Sequence, residues 1–357
     1  MTHDCLKLTT YFGERDRANG GFLADALVDL YAKRELQASV VLRGVEGFGA
    51  KHGLRTDRLL TLSEDLPLVS VAVDSRERIE GTLGEVVELS GPRGLVTLER
   101  ARMLTGSLSV AEPPGDLNEA TKLTMYLGRG ERVGRRPAYV AIVELLRRHR
   151  VAGATVLLGV DGTVHGGRRR ARFFGANTQV PCMLIAVGHG PSIVGALPEL
   201  EEMVRRPLAT LERVRVCKRD GQLLAQPHDL PDTDPLGLEV WQKLMVYAGE
   251  PVQHEAGPMY RELIRRLRRE GALGATALRG IWGYHGDHEP HGDSIRRLRR
   301  RVPVLAVVVD RPDRIRRWFE VIDELTRHTG LVTSEMVPAF AAGAGREAPR
   351  LATLDAR

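Results

Sequence analysis

The feature that most constrains this chain is a segment that occurs three times. The copies begin with the phrases KLTTYFG at Lys7, KLTMYLG at Lys122 and KLMVYAG at Lys243. In every copy 37 residues separate this lysine from the first glycine of a second phrase, GVEG at Gly44, GVDG at Gly159 or GIWG at Gly280. Equal spacing without an insertion indicates three copies of one structural unit, which therefore dictates the fold.

The copies stay in register to their ends. A third phrase reads LPLVSVAVD, VPCMLIAVG or VPVLAVVVD, and a closing phrase reads GLVTLERARML, PLATLERVRVC or GLVTSEMVPAF. We therefore predict three units, repeat 1 (residues 1–105), repeat 2 (120–218) and repeat 3 (240–341). The linkers 106–119 and 219–239 are rich in Pro, Gly and Asp, and the small-residue tail 342–357 is predicted to be flexible.

Hydrophobic periodicity within a unit alternates between strands and helices. Four phrases have strand character, and two stretches between them have apolar residues at helical spacing. The first stripe contains Ala24, Leu27, Val28 and Tyr31, with counterparts Tyr139, Ile142, Val143 and Leu146, and Tyr260, Leu263, Ile264 and Leu267. The second contains Ile79, Leu83 and Val86, with counterparts Ile193, Leu197 and Leu200, and Ile315, Phe319 and Ile322. The order βαββαβ predicts an α+β fold of three tandem ferredoxin-like units.

The third strand of the unit indicates how the units pack. A ferredoxin-like sheet carries its helices on one face, so the other face is expected to be polar. Instead, the third strand is apolar on both faces, as in PCMLIAVG and PVLAVVVD. We expect the other two units to cover the second face, so that a single chain replaces a homotrimer as an intramolecular pseudo-trimer. Pairing of sheets between chains is the alternative.

The first repeat resembles a known family. The phrases LRGVEGFG, LSEDLP and GLVTLE are similar to those of the uncharacterised PII-like proteins grouped as domain of unknown function 190, and the other two repeats match with losses. The resemblance implies a relative of the PII signalling proteins and of the CutA proteins, which are trimers of ferredoxin-like chains. In PII proteins an adenine nucleotide or another small effector binds between subunits. A long loop after the second strand then docks on a membrane channel, transporter or enzyme.

The glycine-rich second phrase is the first candidate ligand site. Glycines let backbone N–H groups approach a phosphate, although the Walker pattern G-x-x-x-x-G-K-[ST] is absent. The alternative is a strand that bulges or ends there, and it is favoured at Gly44, which every copy keeps. The candidates are Arg43, Gly44, Gly47 and Gly49 in repeat 1 and Arg279, Gly280 and Gly283 in repeat 3. Repeat 2 has Leu158 instead of the arginine, so three equal sites are not expected.

The closing phrase supplies the other ligand candidates. In PII geometry the turn before the last strand faces the neighbour's loop, which implies contacts from Gly94, Thr97 and Thr333. A helix C-cap glycine followed by a strand threonine is the alternative. Two pairs of arginines follow, Arg100 with Arg102 and Arg213 with Arg215. The two members of each pair lie two residues apart and therefore on the same face of their strand. Such pairs suit phosphate groups, whereas solvated or ion-paired arginines are the alternative.

Other polar residues suggest metal binding but not catalysis. The phrase GYHGDHEPHGD brings together His285, His288 and His291, which suggests a zinc or copper site, with a polar mobile loop as the alternative. Several acidic residues recur, namely Asp74 and Asp310, and Glu99, Glu212 and Glu335. We interpret these residues as marking helix starts and strand ends. The aspartates, which precede helices, are N-cap candidates. Because no catalytic constellation appears, we do not expect an enzyme.

Composition is compatible with this interpretation. The chain of 357 residues has a net charge of +6, carried mostly by short arginine runs, and three distant cysteines that argue against a disulfide framework. No signal peptide or membrane span is apparent, so a cytoplasmic protein is expected. Aromatic residues are only 5%, which disfavours stacking on single-stranded nucleic acid. The sequence predicts a PII-like regulator of a partner protein, with CutA-like metal binding or a ligand-free scaffold as alternatives.

Overall fold

A computed structural model of the chain describes residues 2–49, 55–56, 65–91, 94–108, 120–164, 167–168, 180–233, 240–250, 252–254, 257–286, 289–292, 302–337 and 339–341. These residues form a mixed α/β structure with six helices and a hydrogen-bonded sheet of eighteen strands. Three short hairpins form separate two-stranded sheets. Within the described ranges, no helix is long and apolar enough to cross a membrane.

The elements recur in the same order in each repeat. Repeat 1 contains β1 (Thr2–Gly13), β2 (Arg17–Ala18), β3 (Gly21–Phe22), α1 (Leu23–Lys33), β4 (Ala38–Phe48), β5 (Arg55–Thr56), β6 (Pro67–Ser75), α2 (Arg76–Ser90) and β7 (Leu95–Thr105). Repeat 2 contains β8 (Thr121–Gly128), β9 (Arg132–Val133), β10 (Arg136–Pro137), α3 (Ala138–Arg148), β11 (Gly153–Val164), β12 (Gly167–Arg168), β13 (Pro181–Gly188), α4 (Gly190–Met203), β14 (Leu208–Arg213) and β15 (Arg215–Arg219). The linker strand β16 (Gln222–Leu223) follows. Repeat 3 contains β17 (Trp241–Gly249), β18 (Gln253–His254), β19 (Gly257–Pro258), α5 (Met259–Arg269), β20 (Gly274–His285), β21 (His291–Gly292), β22 (Pro303–Asp310), α6 (Pro312–Leu325), β23 (Leu331–Val337) and β24 (Ala339–Ala341).

Each repeat builds one four-stranded antiparallel sheet with the same strand order. The order is β7-β1-β6-β4 in repeat 1, β14-β8-β13-β11 in repeat 2 and β23-β17-β22-β20 in repeat 3. The predicted helical stripes face these sheets: Leu27, Val28 and Tyr31 of α1 are buried with Ile79 and Leu83 of α2. Apolar side chains of both helices therefore cover the same face of the sheet, which confirms the predicted helices.

The second face of each sheet is buried in a core that all three repeats share. In β13, Cys182 and Leu184 belong to the helix-side cluster of repeat 2, whereas Met183 and Ile185 belong to a central cluster. That central cluster also contains Val71 and Val307 from β6 and β22, and similar residues of the other strands. This central core explains why the third strand of each repeat is apolar on both faces, because neither face meets water.

Hydrogen bonds between repeats run in two closed cycles. In the first cycle, β4 pairs with both β11 and β20, and β11 pairs with β20. In the second cycle, the end of the last strand of each repeat pairs with the start of the last strand of the following repeat. These pairs are β7 with β14, β15 with β23, and β24 with β7. Each repeat therefore contacts both of the others through main-chain hydrogen bonds.

The two aspartates before the second helices are not N-caps, which corrects the sequence interpretation. The N-cap of α2 is Ser75, whose hydroxyl accepts from the Arg78 N–H at 3.4 Å. Asp74 instead accepts from the Gln37 N–H at 3.0 Å. Asp310 accepts from the indole Nε1 of Trp318 at 2.8 Å. These short side chains fix neighbouring segments to the third strand, which explains their recurrence.

Candidate functional site

A ring of six charged side chains lies in the buried centre of the molecule. It alternates the lysine that opens each repeat with a glutamate of each last strand, namely Lys7, Lys122, Lys243, Glu99, Glu212 and Glu335. The strand register places each lysine opposite the glutamate of its own repeat, for example Lys7 opposite Glu99. All six are nearly inaccessible to solvent. The ring therefore has the composition of a balanced ion cluster, with equal numbers of acidic and basic groups.

Every lysine of this ring bridges two repeats. Lys7 Nζ lies 2.5 Å from a Glu99 oxygen and also contacts Glu212 of repeat 2. Lys122 Nζ lies 2.7 Å from Glu212 and 2.5 Å from Glu335 of repeat 3. Lys243 Nζ lies 2.8 Å from Glu335 and 2.8 Å from Glu99, which closes the ring. The ion pairs thus follow the same cyclic order as the main-chain pairing.

The pKa shifts show how strongly these charges depend on one another. Burial works against the charge of Glu99, but Lys243, Lys7 and Lys122 outweigh it and hold its pKa well below the ordinary value. The pKa of Glu335 is likewise lowered, since Lys122 and Lys243 outweigh its burial. Burial also opposes the charge of Lys122, yet the three glutamates raise its pKa well above the ordinary value. For Lys243 burial prevails and lowers the pKa.

The ring does not have the chemistry of a divalent metal site. Oxygens of Glu99, Glu212 and Glu335 lie within 4.8 Å of one another, close enough to share an ion. However, the lysine ammonium groups already lie at hydrogen-bond distance from these oxygens. A cation would have to displace them or remain beside them at a high electrostatic cost. The ring is better suited to joining the repeats than to binding a metal.

These six residues were missed as a set by the sequence analysis. The lysines were interpreted only as the starts of the repeats. The interpretation as strand-end residues is wrong for Glu99 and Glu335, which lie inside β7 and β23, whereas Glu212 is the penultimate residue of β14. Glu99 lies inside β7 and its side chain faces the central core. The available signal was the presence of a lysine and a glutamate at matching positions of apolar strands in every copy. A charge that recurs within an apolar strand indicates a buried partner.

The lowered pKa values of Glu99 and Glu335 predict acid sensitivity. A carboxyl group whose pKa is lower in the folded state stabilises the fold in full above its unfolded pKa, about 4.3 for glutamate. This stabilisation is lost as the pH falls through the lower folded-state values. We expect the free energy of unfolding, measured in urea at a series of pH values, to fall below about pH 4. The decline is expected to be shallower in Glu335→Gln, and equal slopes would contradict this origin.

The repeated glycine phrase lies where one repeat crosses onto the next. In each copy a bulge follows its first glycine, and the apolar bulge residue enters the helix-side core of another repeat. Val45 of repeat 1 packs in the core between helices and sheet of repeat 3. Val160 of repeat 2 packs in the corresponding core of repeat 1, and Ile281 of repeat 3 packs in the corresponding core of repeat 2. The alternative that this strand bulges is confirmed.

The glycines of this phrase leave room for the neighbouring strand. A Cβ on Gly44 would lie 3.0 Å from the Ala277 carbonyl oxygen, and one on Gly47 would lie 2.7 Å from that of Ala275. A Cβ on Gly280 would lie 3.0 Å from the Val156 carbonyl oxygen, and a Cβ on Gly283 would lie 2.2 Å from the Ala154 carbonyl oxygen. By contrast, a Cβ on Gly49 would meet nothing within 4 Å. Four of the five glycine candidates therefore have a packing role that requires no ligand.

The two arginines of this phrase are engaged in ion pairs within their own repeats. Arg43 Nη2 lies 2.9 Å from Glu14, and Arg279 Nη2 lies 2.7 Å from Glu250. Repeat 2 has Arg129 at the position of these glutamates and Leu158 at that of the arginines. Both members of the pair have therefore changed together in repeat 2, which makes the three boundaries chemically different.

The turn before the last strand lies between repeats 1 and 3. Gly94 immediately precedes β7, whose first residues pair with β24, and the C-cap of α2 is Gly91 rather than Gly94. Thr97 and Thr333 are fully buried. Their hydroxyls lie near those of Tyr11 and Tyr247, whose pKa values burial raises. The threonines thus face the interior, in the layer next to the charged ring.

The arginine pairs of the last strands lie at two boundaries between repeats. Arg102 stands opposite Leu211 of repeat 2, and Arg215 stands opposite Ser334 of repeat 3. Arg100 and Arg213 are exposed beside them. Arg215 donates a hydrogen bond to the Gln226 carbonyl oxygen at 3.4 Å. The predicted arginines therefore lie at boundaries between repeats.

Two of the three histidines predicted to bind a metal, His285 and His291, lie on the hairpin of β20 and β21. His285 is the last residue of β20 and is buried, with its Nδ1 3.8 Å from an Asp220 oxygen. His291 pairs with Gly283, two residues from His285, so both belong to one face of the hairpin. His288 lies outside the described residues. The metal site therefore stays a prediction, with His285 in a strand and not in a loop.

One large cavity lies away from all these candidates. It has a volume of about 790 Å³ and opens on the outer side of repeat 1, between the β2–β3 hairpin and helices α1 and α2. Its charged lining residues are Asp16, Arg17, Asp29, Lys33, Glu85 and Glu88. None of the residues that the sequence analysis proposed for a ligand lines this cavity, so it does not coincide with the predicted ligand site.

Comparisons with known proteins agree with the three repeats. The family model DUF190, described as Uncharacterized ACR, matches residues 5–103, 120–216 and 241–339. A UPF0166 protein of Aquifex aeolicus is 33% identical over 94 residues, which are 26% of this chain and 88% of that protein. A UPF0166 protein of Methanocaldococcus jannaschii is 34% identical over 89 residues, 25% of this chain and 82% of that protein. Each relative thus corresponds to little more than one repeat, and the chain belongs to the DUF190 family as three fused copies.

Proposed function

We propose that this protein is a PII-like regulator built as an intramolecular pseudo-trimer of three ferredoxin-like units. It binds a small anionic effector, an adenine nucleotide, between repeats and acts on a partner protein through the loops after β4, β11 and β20. The strand order and the two closed cycles of pairing support this architecture. In this proposal an effector bound at such a boundary changes the order of the adjoining loop, which transmits its presence to the partner.

The observation that supports the proposal is that predicted ligand residues of different repeats lie along the boundaries between repeats. The boundary of repeats 2 and 3 has the most complete set. At this boundary β20, which carries Arg279, pairs with β11 of repeat 2. The end of repeat 2, which carries Arg213 and Arg215, pairs with the start of β23. The boundary of repeats 1 and 2 has Leu158 at the corresponding arginine position, and that of repeats 3 and 1 has Met336 in place of Arg213. The effector is therefore assigned to the boundary of repeats 2 and 3.

Guanidinium groups supply the chemistry for an anionic effector. Arginine presents several donors in a plane and matches phosphate oxygens in pairs. Arg213 is exposed, and the Arg215 hydrogen bond to a carbonyl oxygen leaves further donors on the same guanidinium. A phosphate at this boundary would bridge two repeats, so binding would couple their positions and that of the adjoining loop.

Thermal denaturation with ATP, ADP, AMP, cyclic nucleotides and zinc tests this proposal. A nucleotide at about a hundred times its Kd is expected to add about 2.7 kcal/mol of stability, seen as a rise in Tm. Arg213→Ala with Arg215→Ala is expected to abolish that rise, whereas Arg34→Ala, which breaks an exposed ion pair with Glu85, keeps it. No response to any nucleotide would argue against the effector. A response to zinc alone, lost in His285→Ala, would favour metal binding.

A further inference from the structure

At two of the junctions between repeats, the end of one repeat contacts the second helix of the following repeat. Beyond β7 of repeat 1, the Ser107 hydroxyl and the Leu108 N–H donate to a Glu201 carboxylate oxygen in α4, at 3.1 and 2.8 Å. In β15 of repeat 2, the buried Lys218 lies 2.5 Å from a carboxylate oxygen of Asp323 in α6. Glu201 and Asp323 occupy the same position in their repeats. One position of the second helix therefore fastens both junctions.

The chain runs toward the equivalent helix, α2, at the third junction. Strand β24 of repeat 3 pairs antiparallel with the start of β7 of repeat 1, with Ala341 opposite Leu95. Leu95 follows α2 closely, since the C-cap of that helix is Gly91. The tail, residues 342–357, therefore begins next to the end of α2. Its sixteen residues span up to about 50 Å when extended, which is more than the length of this helix.

The third junction cannot use the ion pair of the second. Val87 and Ala341 occupy the positions of Asp323 and Lys218, and neither has a charge. The residue after Val87 is Glu88, whose side chain is exposed. Within the described ranges, no hydrogen bond or ion pair with the protein engages Glu88. A carboxylate without a protein partner therefore lies beside the position that fastens the other two junctions.

Glu88 also lines the cavity of repeat 1, the space of about 790 Å³ between α1, α2 and the β2–β3 hairpin. The counterpart of Glu88 in repeat 3 is Glu324, which lies 2.9 Å from Nη1 of Arg266 in α5. Repeat 1 has Leu30 at the position of Arg266. Helix α1 therefore brings no guanidinium group to Glu88 from that position.

Repeat 2 has a second arginine that repeat 1 lacks in this region. Arg136 of the β9–β10 hairpin forms an ion pair with Glu144 of α3. Gly21 occupies the position of Arg136 in the β2–β3 hairpin. Arginine side chains thus connect these elements in repeats 2 and 3, whereas the corresponding elements of repeat 1 border a cavity. Four acidic and two basic residues line this cavity, so its charge favours a cationic occupant.

We propose that the cavity of repeat 1 is the docking site of the tail, which thereby fastens repeat 3 to repeat 1. The tail has three arginines and two acidic residues, so its charge is opposite to that of the cavity lining. Arg346 and Arg350 supply the guanidinium groups that Glu88 lacks, and Leu351 and Leu354 pack on the apolar lining residues. All three junctions are then closed by contact between the end of one repeat and the second helix of the following repeat.

Crosslinking in the full-length chain tests where the tail lies. Ala26→Cys in the cavity lining is combined with Ala348→Cys in the tail, and a short thiol-specific crosslinker is added. The matched control combines Ala348→Cys with Ala32→Cys, a half-buried position of the same helix outside the lining. The three native cysteines are buried and are not expected to react. We expect an internal crosslink, seen in the intact mass, with Ala26→Cys and its loss with Ala32→Cys.

Two crosslinking results would overturn the inference. Equal yields for the two helix positions would show that the tail has no preferred place on repeat 1. Crosslinked dimers in place of the internal product would show that the tail docks on a second copy of the chain.

Hydrogen–deuterium exchange measures the contribution of the arginines. Arg346→Ala with Arg350→Ala is expected to abolish the protection that the tail gives to amides at the end of α2 and in the β2–β3 hairpin, as does a chain that ends at Ala341. Arg357→Ala is the control within the tail and is expected to keep this protection. Helix α6 is expected to exchange equally in all variants.

Unchanged exchange in residues 85–91 after removal of the tail would contradict the docking. Loss of protection after removal of the tail, but not after the double arginine substitution, would contradict the role of the guanidinium groups. None of these measurements depends on an effector, so they are independent of the proposed function.

Discussion

Replacing Lys122 by methionine is expected to lower the free energy of unfolding by about 3–5 kcal/mol. Lys122 is inaccessible to solvent and lies 2.7 Å from Glu212 and 2.5 Å from Glu335. Its removal leaves three buried carboxylates with two ammonium groups, and an uncompensated charge in the interior is costly. Urea denaturation followed by circular dichroism measures the change.

The charge balance can be separated from the loss of lysine packing. Lys122→Met combined with Glu335→Gln removes one charge of each sign, so it is expected to recover part of the lost stability. Arg34→Met removes one member of an exposed ion pair with Glu85 and is expected to cost about 0–1 kcal/mol. A double variant as unstable as Lys122→Met alone would show that the balance of charge is not the cause.

Gly162→Ala is expected to destabilise the protein by about 1–3 kcal/mol, a cost typical of overpacking. A Cβ at this position would lie 2.1 Å from the Ser39 carbonyl oxygen of repeat 1 and 3.0 Å from Pro181 Cγ. The backbone oxygen belongs to β4, which is hydrogen-bonded to β11 and cannot withdraw without breaking that pairing. The substitution therefore separates two repeats at their crossing, and its effect appears in the same urea experiment.

Gly84→Ala provides the matched comparison. Gly84 lies within helix α2 on the exposed side, where an added Cβ would meet nothing within 4 Å. Alanine is the better helix former, so this variant is expected to gain about 0.5–1 kcal/mol. If both glycine variants changed stability by the same amount in the same direction, close approach of the strands would not be the reason for Gly162.

Much of the secondary structure was predictable because it depends on local periodicity. The stripe of Leu27, Val28 and Tyr31 is buried as its spacing requires, and its counterparts in α3 and α5 are buried in the same way. The face of β13 that carries Met183 and Ile185 indicated a covering layer, and the shared core provides it. The N-caps were less predictable, since Asp74 and Ser75 are both suitable and only the tertiary contact of Asp74 with the Gln37 N–H distinguishes them.

The candidate site was predicted only in part. Sequence spacing singled out Arg43 and Gly47, but it could not show that Arg43 pairs with Glu14 or that Gly47 makes room for Ala275 of another repeat. The charged ring was missed because the lysine and the glutamate of a repeat are 90 or 92 residues apart in the sequence, as Lys7 and Glu99 are, and because ion pairs also join them across repeats. Such contacts depend on how whole sheets face one another.

The sequence by itself determined the number of repeats, their register and the elements in each, because these follow from local patterns of apolar residues, glycine and charge. Only the tertiary structure decided what the recurring charges and glycines do. It showed that Lys7 and its counterparts neutralise glutamates of two repeats, that the glycine phrase is a crossing point, and that Lys218 of repeat 2 contacts α6 of repeat 3. The physical reason is that a buried charge or a close approach is defined by its partner, and here that partner belongs to a distant repeat.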